Sequence, residues 1–200
     1  MRSRLYFYYG CMSSSKTLRL LTMAHGFEEK GMDTVLFKPA QDTRDGEDVI
    51  RSRVGIEKPC VVIDDDTDLF KAIGDYYEYL SGQGRKLRWV MIDECQFLEE
   101  RQIDELARVV DELGVNVMCF GLRTDFRTRL FPASKRLFEI ADKIEEIGTY
   151  CECGESKAIV NARIGEDGKF ETEGSQVLVG GDDRYVSVCR KCWKEKLSDK

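Results

Sequence analysis

Apolar runs and amphipathic stretches alternate along most of this 200-residue chain. Short apolar runs predict β-strands over 5–9, 33–37, 60–63, 88–92 and 115–119. Apolar positions at helical spacing predict helices over 16–30, 68–81 and 99–113. Because strands alternate with amphipathic helices, we predict an α/β fold with a mostly parallel sheet flanked by helices on both faces.

The pattern changes after about Gly148. Short β-like runs at 158–160 and 176–179 lie among turn-rich stretches at 165–168 and 180–183. We therefore predict two domains, a larger one over 1–148 and a small one over 149–200. The polar stretch 41–57 interrupts the first domain and has no assigned element.

Composition excludes several classes of protein. Hydrophobic residues make up 42% of the chain, which is enough for a real core, and the formal net charge is −6. The net negative charge therefore gives the chain no overall electrostatic attraction to nucleic acid or to an anionic membrane. No apolar run approaches the roughly 20 residues that a membrane span needs. We expect a cytoplasmic protein that binds neither nucleic acid nor membrane.

The first predicted strand runs into residues 10–17, Gly-Cys-Met-Ser-Ser-Ser-Lys-Thr, and then into a helical pattern. This order is typical of a phosphate-binding loop, in which backbone N–H groups at a helix N-terminus bind phosphate. Lys16 would neutralise phosphoryl charge, and the Thr17 hydroxyl would bind Mg²⁺. Ser15 stands where a second glycine is usual. An ordinary strand–helix turn with a chance Lys-Thr pair is the alternative.

Asp93 and Glu94 follow the buried-strand pattern of 88–92. In an open α/β sheet, ligands bind beyond the carboxyl ends of the strands. Asp93 would then hold Mg²⁺, and Glu94 could take a proton from an attacking hydroxyl. A solvated strand end or a helix cap is the alternative interpretation of the pair.

The eight cysteines fall into two groups. Four are scattered and are expected to be small buried hydrophobes: Cys11, Cys60, Cys95 and Cys119. The other four form two close pairs that favour a structural four-thiolate zinc site over free thiols or disulfides: Cys151, Cys153, Cys189 and Cys192.

Two further segments have two interpretations each. If zinc ties the cysteine pairs together, the roughly 35 residues between them form one long loop, and such loops are usually lids or binding loops. A small zinc-stapled recognition module is the alternative.

The basic and aromatic segment 122–138 suits an active-site loop, although an ordinary charged surface loop has the same composition.

Several motifs match one family together. They lie at 10–17, 38–44, 93–97, 121–127 and 180–192. The chain resembles the smaller, zinc-containing thymidine kinases of bacteria, some phages and animal cytosol, almost from end to end. The resemblance implies transfer of the γ-phosphoryl group of MgATP to the 5′-hydroxyl of thymidine or deoxyuridine.

The resemblance also implies roles for individual residues. Glu94 would be the general base, Lys16 would stabilise phosphoryl charge, and Thr17 and Asp93 would hold Mg²⁺. ATP phosphates would be bound by Gly10, Ser13, Ser14, Ser15, Lys16, Thr17 and Arg44. The nucleoside would be bound by Met12, Asp42, Phe97, Leu122, Phe126, Asn161, Gln176, Leu178 and Tyr185. Residues 161–185 would form a lasso loop that binds the base through backbone groups. The family also implies a homotetramer and feedback inhibition by thymidine triphosphate.

Two other functions stay open at this stage. A phosphate-loop ATPase or GTPase could hydrolyse nucleotide as a switch, although the chain has no guanine-reading Asn-Lys-x-Asp run. A nucleotide-binding regulator with weak or no kinase activity is the other, in which Ser15 marks a degraded phosphate loop.

Overall fold

The computed structural model describes residues 2–43, 46, 48–177 and 184–198. Arg44 and Leu178, two of the expected ligand-binding residues, lie outside the described residues, as do Gly180 and Gly181.

The chain contains ten described strands and five described α-helices. The strands are β1 (Leu5–Tyr9), β2 (Asp33–Pro39), β3 (Val49–Arg51), β4 (Glu57–Pro59), β5 (Val61–Ile63), β6 (Leu87–Ile92), β7 (Asn116–Gly121), β8 (Lys143–Glu146), β9 (Val160–Arg163) and β10 (Tyr185–Val188). The helices are α1 (Lys16–Glu28), α2 (Leu69–Gly82), α3 (Glu100–Leu113), α4 (Pro132–Ile140) and α5 (Arg190–Ser198). A short 3₁₀ turn covers Cys95–Phe97.

Six strands form one sheet in the order β5-β2-β6-β7-β1-β8, and every pairing in it is parallel. The central strands are apolar almost throughout because a parallel sheet is covered on both faces. Val90 and Ile92 of β6 belong to one apolar cluster, whereas Met91 belongs to the cluster on the other side. The mostly parallel sheet expected from the sequence is confirmed.

The predicted helices are present, and their ends have local causes. Glu99 and Gln102 form a capping box at the start of α3, and Gly114 ends that helix at φ 66°. Ile103 and Leu106 on its apolar face are fully buried. The loop prediction for 122–138 was partly wrong, because Pro132 at the first helical position begins α4 and ends the loop.

The polar stretch 41–57 contains an element that the hydrophobic pattern did not indicate. Strands β3 and β4 pair as an antiparallel hairpin beside the main sheet. Ile50 packs into the core cluster of Leu20 and Leu21 from α1. The strands are only three residues long, which is too short for a visible alternation of apolar and polar positions.

Beyond β8 the chain continues into a second, smaller sheet. Strands β9 and β10 pair as an antiparallel two-stranded sheet. Its small apolar cluster consists of Cys151, Val160, Ala162, Phe170, Val188 and Cys189. Among the described residues, no helix combines the length and apolar character needed to cross a bilayer.

Candidate active site

The phosphate loop lies between the carboxyl end of β1 and the start of α1. A Cβ at Gly10 would collide with the carbonyl oxygen of Ile147 and with the Ser14 hydroxyl, so this position requires glycine. The buried Lys16 ammonium donates to the backbone oxygens of Cys11 at 2.9 Å and Gly10 at 3.3 Å. These bonds hold the ammonium across the loop, where it can neutralise a phosphoryl group.

Three of the four described non-glycine residues with positive φ lie in this site: Ser13 at 61°, Ser15 at 62° and Glu94 at 48°. A left-handed conformation costs an L-residue about 1–2 kcal/mol. Backbone strain of this kind concentrates at functional sites, where the surrounding structure enforces it. Ser15 therefore takes the conformation that glycine adopts most readily, and its Cβ strains the loop.

We expect Ser15→Gly to raise the free energy of unfolding by about 0.5–1 kcal/mol, because relief of the left-handed strain outweighs the extra entropy of glycine in the unfolded chain. Urea denaturation measures this. Ser14→Gly is the matched control and should lower stability, since Ser14 has no positive φ. A loss of stability in Ser15→Gly would contradict the account of strain.

Thr17 and Asp93 bring two oxygen ligands together at the start of α1. The Thr17 hydroxyl donates to Asp93 Oδ2 at 2.8 Å. Asp93 is buried, and its backbone N–H donates to the Phe37 carbonyl at 2.9 Å, which fixes it at the end of β6. A hydroxyl and a carboxylate are hard oxygen donors of the kind that Mg²⁺ prefers, so the pair fits the magnesium of MgATP.

Glu94 is positioned by a glutamine that the sequence analysis did not select. The Gln96 amide Nε2 donates to Glu94 Oε2 at 2.6 Å, while its Oε1 accepts from the Leu122 N–H at 2.9 Å. A Cβ at Gly121 would lie 2.6 Å from Gln96 Oε1, so glycine there lets the amide approach. The bond from Gln96 thus orients the Glu94 carboxylate, and Glu94 lines the cavity described next.

One cavity of about 670 Å³ joins most of the expected residues. Those lining it are Met12, Ser13, Ser15, Lys16, Thr17, Asp42, Asp93, Glu94, Phe97, Leu122, Phe126, Asn161, Gln176 and Tyr185. Gly10 lines a small neighbouring recess, and the side chain of Ser14, although part of the loop, is buried. The sequence analysis missed several other lining residues: Arg53, Gln96, Thr124, Asp125 and Phe131.

Arg163, at the end of β9, contacts both Phe126 in the cavity wall and the lasso backbone at Ser175. Its guanidinium lies 3.6 Å from the centre of the Phe126 ring and donates to the Ser175 carbonyl at 2.9 Å. Gln176 Nε2 donates to Asp125 Oδ2 at 3.2 Å. Arg163 therefore covers one face of the Phe126 ring, and its bond to Ser175 keeps the lasso backbone close to this part of the cavity wall.

The two-stranded sheet of β9 and β10 also contacts the phosphate loop. The Met12 N–H donates to Asn161 Oδ1 at 2.8 Å, and the Met12 carbonyl accepts from the Ser187 hydroxyl at 2.8 Å. Asn161 and Ser187 lie opposite each other on β9 and β10. The backbone N–H and the backbone carbonyl of Met12 are thus both hydrogen-bonded to residues of the two-stranded sheet.

The four C-terminal cysteines form a cluster whose Sγ atoms all lie within 4.8 Å of one another. Four thiolates at about 2.3 Å from zinc lie about 3.8 Å apart, so the cluster fits a tetrahedral zinc ion after a small contraction. Hydrogen bonds with the Cys189 and Cys153 thiols raise the pKa of the Cys192 thiol to about 12, because they favour its protonated form. A bound cation favours the thiolate form instead.

The other four cysteines are free thiols. Cys95 and Cys119 are fully buried, Cys11 is nearly so, and Cys60 is half-buried. Burial raises the pKa of both the Cys11 and the Cys60 thiol to about 11. Both are therefore protonated and unreactive at neutral pH.

The parallel sheet, the phosphate loop and the Thr17–Asp93 pair define a phosphate-loop nucleotide-binding protein, and Glu94 supplies a carboxylate suited to phosphoryl transfer. Comparison with known proteins names the family. The chain belongs to the thymidine kinase family, whose family model matches residues 3–193.

Relatives match over nearly the whole chain. A thymidine kinase of Rhizobium etli is 41% identical over 196 residues, which are 98% of this chain and 96% of that protein. A thymidine kinase of Enterobacteria phage T4 is 44% identical over 191 residues, 96% of this chain and 95% of that protein. One solved structure, an ATPase domain, has a TM-score of 0.51 at 16% identity, covering 94% of this chain and 85% of that one, so it supports the fold alone.

Proposed function

We propose that this protein is an ATP-dependent thymidine kinase, which transfers the γ-phosphoryl group of MgATP to the 5′-hydroxyl of thymidine. One observation carries the proposal. A single cavity contains the phosphate-loop Lys16, the Thr17–Asp93 oxygen pair, and the oriented carboxylate of Glu94 beside an aromatic pocket. Family membership supports the same activity.

Each group has a role in the transfer. Lys16 stabilises charge on the transferring phosphoryl group, and Thr17 and Asp93 hold the magnesium that accompanies ATP. Magnesium supplies charge neutralisation on the phosphate oxygens when bound. Glu94 accepts the proton of the 5′-hydroxyl as that oxygen attacks the γ-phosphorus. The nucleoside-binding roles of Phe97, Phe126 and Tyr185 are part of this proposal.

We propose thymidine and deoxyuridine as substrates and deoxycytidine as a poor one. The position of residues 173–176 against the cavity wall supports recognition of the base by backbone groups of the lasso loop. The amino group of cytosine exchanges a hydrogen-bond acceptor for a donor. A buried backbone group would then lose its partner, at a cost of about 1–3 kcal/mol.

The test incubates the purified protein with MgATP and thymidine, deoxyuridine or deoxycytidine, and measures nucleoside monophosphate. We expect product from the first two that requires both substrates, and at least about tenfold lower kcat/KM for deoxycytidine. Phosphate release without nucleoside would instead indicate an NTPase. Nucleotide binding without product would indicate a regulator with a damaged loop at Ser15. Equal turnover of deoxycytidine would contradict the account of specificity.

We also propose inhibition by thymidine triphosphate, because this molecule carries both the nucleoside and the phosphates that one cavity would accommodate. A homotetramer and a cytoplasmic location are proposed from the family resemblance, and cysteines that form no disulfide in the part of the chain that the structure describes suit a reducing compartment. The domain division at 148/149 is proposed as well. In its favour, the six-stranded sheet ends at β8 and the two-stranded sheet has its own apolar cluster.

A further inference from the structure

Arg53 lies at the tip of the β3–β4 hairpin and reaches the phosphate loop. Its Nη1 donates to the Ser13 hydroxyl at 2.9 Å, a contact between residues 40 positions apart in the chain. Arg53 lines the same cavity as Lys16 and Glu94. A second cation therefore stands beside the loop that is expected to bind phosphate, on an element outside the motifs assigned above.

The hairpin is anchored at its base. The buried Lys38 ammonium of β2 donates to the Val49 carbonyl at 2.9 Å, and Ile50 is almost fully buried in the core under α1. Lys58 of β4 forms an ion pair with Glu28 of α1 at 2.5 Å. The hairpin is thus fixed to β2 through Lys38 and to α1, the helix that follows the phosphate loop, through Ile50 and Lys58.

The tip is fixed as well. Ser52 is buried, and its N–H donates to the Ile56 carbonyl at 2.8 Å. The Gly55 N–H donates back to the Ser52 carbonyl at 2.9 Å, in a turn where Gly55 has φ 85°. Arg53 therefore projects from a closed turn, and little conformational freedom of its backbone remains to be lost on binding a ligand.

Arg51 and Arg53 both line the cavity, but their guanidinium groups have different partners. Arg51 forms an ion pair with Glu57 across the two strands at 2.6 Å. Within the described ranges, Arg53 has no carboxylate partner, and its contact is the neutral Ser13 hydroxyl. A guanidinium is always charged and presents a planar fork of N–H donors that matches two phosphate oxygens.

We propose that Arg53 is a second cation for the γ-phosphoryl group, an inference that rests on the proposed function. In the transfer, the bond from the γ-phosphorus to the β,γ-bridging oxygen breaks, and its electron pair leaves with ADP. A bond forms to the 5′-oxygen, whose proton passes to Glu94. Charge spreads over the three equatorial oxygens, and Lys16 and Arg53 stabilise it without giving up a proton.

The experiment compares Arg53→Met with Arg51→Met, which removes the same charge from the same hairpin. Thymidine phosphorylation gives kcat and both KM values. Binding of ADP and of the ATP analogue with a β,γ-imido bridge is measured separately by calorimetry. We expect Arg53→Met to lower kcat about 10²-fold. It should weaken binding of the analogue about tenfold while ADP binding changes less than about twofold, because ADP has no γ-phosphoryl group. Arg51→Met should change kcat less than about threefold.

Two results would overturn the proposal. These are equal binding losses for ADP and the analogue, and equal effects of the two arginine variants. If the unaltered protein made no thymidine monophosphate, the proposed function would fail, but the difference between analogue and ADP affinity would still decide the role of Arg53.

Discussion

Glu94→Gln is expected to lower kcat for thymidine phosphorylation by about 10²–10⁴-fold, the usual contribution of a general base. The substitution keeps the size of the side chain. It also keeps the hydrogen bond from Gln96 Nε2, because an amide oxygen can accept it in place of Glu94 Oε2. The backbone conformation at this left-handed position should be retained. What is lost is the capacity to take the proton of the 5′-hydroxyl.

Steady-state kinetics with separate measurements of ATP and thymidine binding test this expectation. Both affinities should stay within about threefold of the unaltered protein, so that the loss falls on kcat. Glu100→Gln, at an exposed position in the first turn of α3, is the matched control and should retain full activity. An unchanged kcat in Glu94→Gln would remove Glu94 from the role of base.

The proximity of Lys16, Thr17 and Asp93 could be predicted from the sequence because each residue stands in a local motif. Lys16 and Thr17 follow one strand within a loop, and Asp93 directly follows another, so strand order brings them to one edge of a parallel sheet. The four cysteines of the C-terminal cluster were likewise identifiable, since they form two close pairs, one of them with the usual Cys-x-x-Cys spacing of zinc ligands, even though 35 residues separate the pairs.

The residues that orient these groups were not identifiable. Gln96 stands two positions from Glu94, but a glutamine in a sequence gives no sign that its amide joins a carboxylate to the Leu122 N–H. Arg53 depends on the pairing of two three-residue strands and on the burial of Ile50 beneath α1. Tertiary packing sets such contacts. A strand of three residues is too short to show the alternation of apolar and polar positions by which a strand is detected in a sequence.

Cys189→Ser is expected to abolish zinc binding and to raise the KM for thymidine by about 10²–10³-fold. A four-thiolate site that loses one ligand binds zinc far more weakly, and the fold around it depends on the metal. The described lasso contacts would be lost with it, chiefly the bonds from Arg163 to the Ser175 and Glu173 carbonyls. The two hydrogen bonds between the Met12 backbone and the side chains of Asn161 and Ser187 would also be lost.

The number of bonds sets an upper limit on this effect, because thymidine binding would have to order these segments again. At about 1 kcal/mol each, four hydrogen bonds amount to at most roughly 4 kcal/mol, or nearly a thousandfold in affinity. Because two of the four hold the phosphate loop, the KM for ATP should also rise, although less than that for thymidine. A rise in both KM values would show that both substrate sites depend on the metal site, which an independent cysteine module would not produce.

Zinc content, circular dichroism and both KM values measure the outcome. The α/β domain should keep its secondary structure, since its core clusters do not include the cysteine cluster. Cys60→Ser, which alters a half-buried thiol outside the cluster, is the control and should retain zinc and normal KM values. A zinc-free Cys189→Ser protein with an unchanged KM for thymidine would show that the metal site and the nucleoside pocket are independent. If only the KM for ATP stayed unchanged, the Met12 contacts would have no part in holding the phosphate loop.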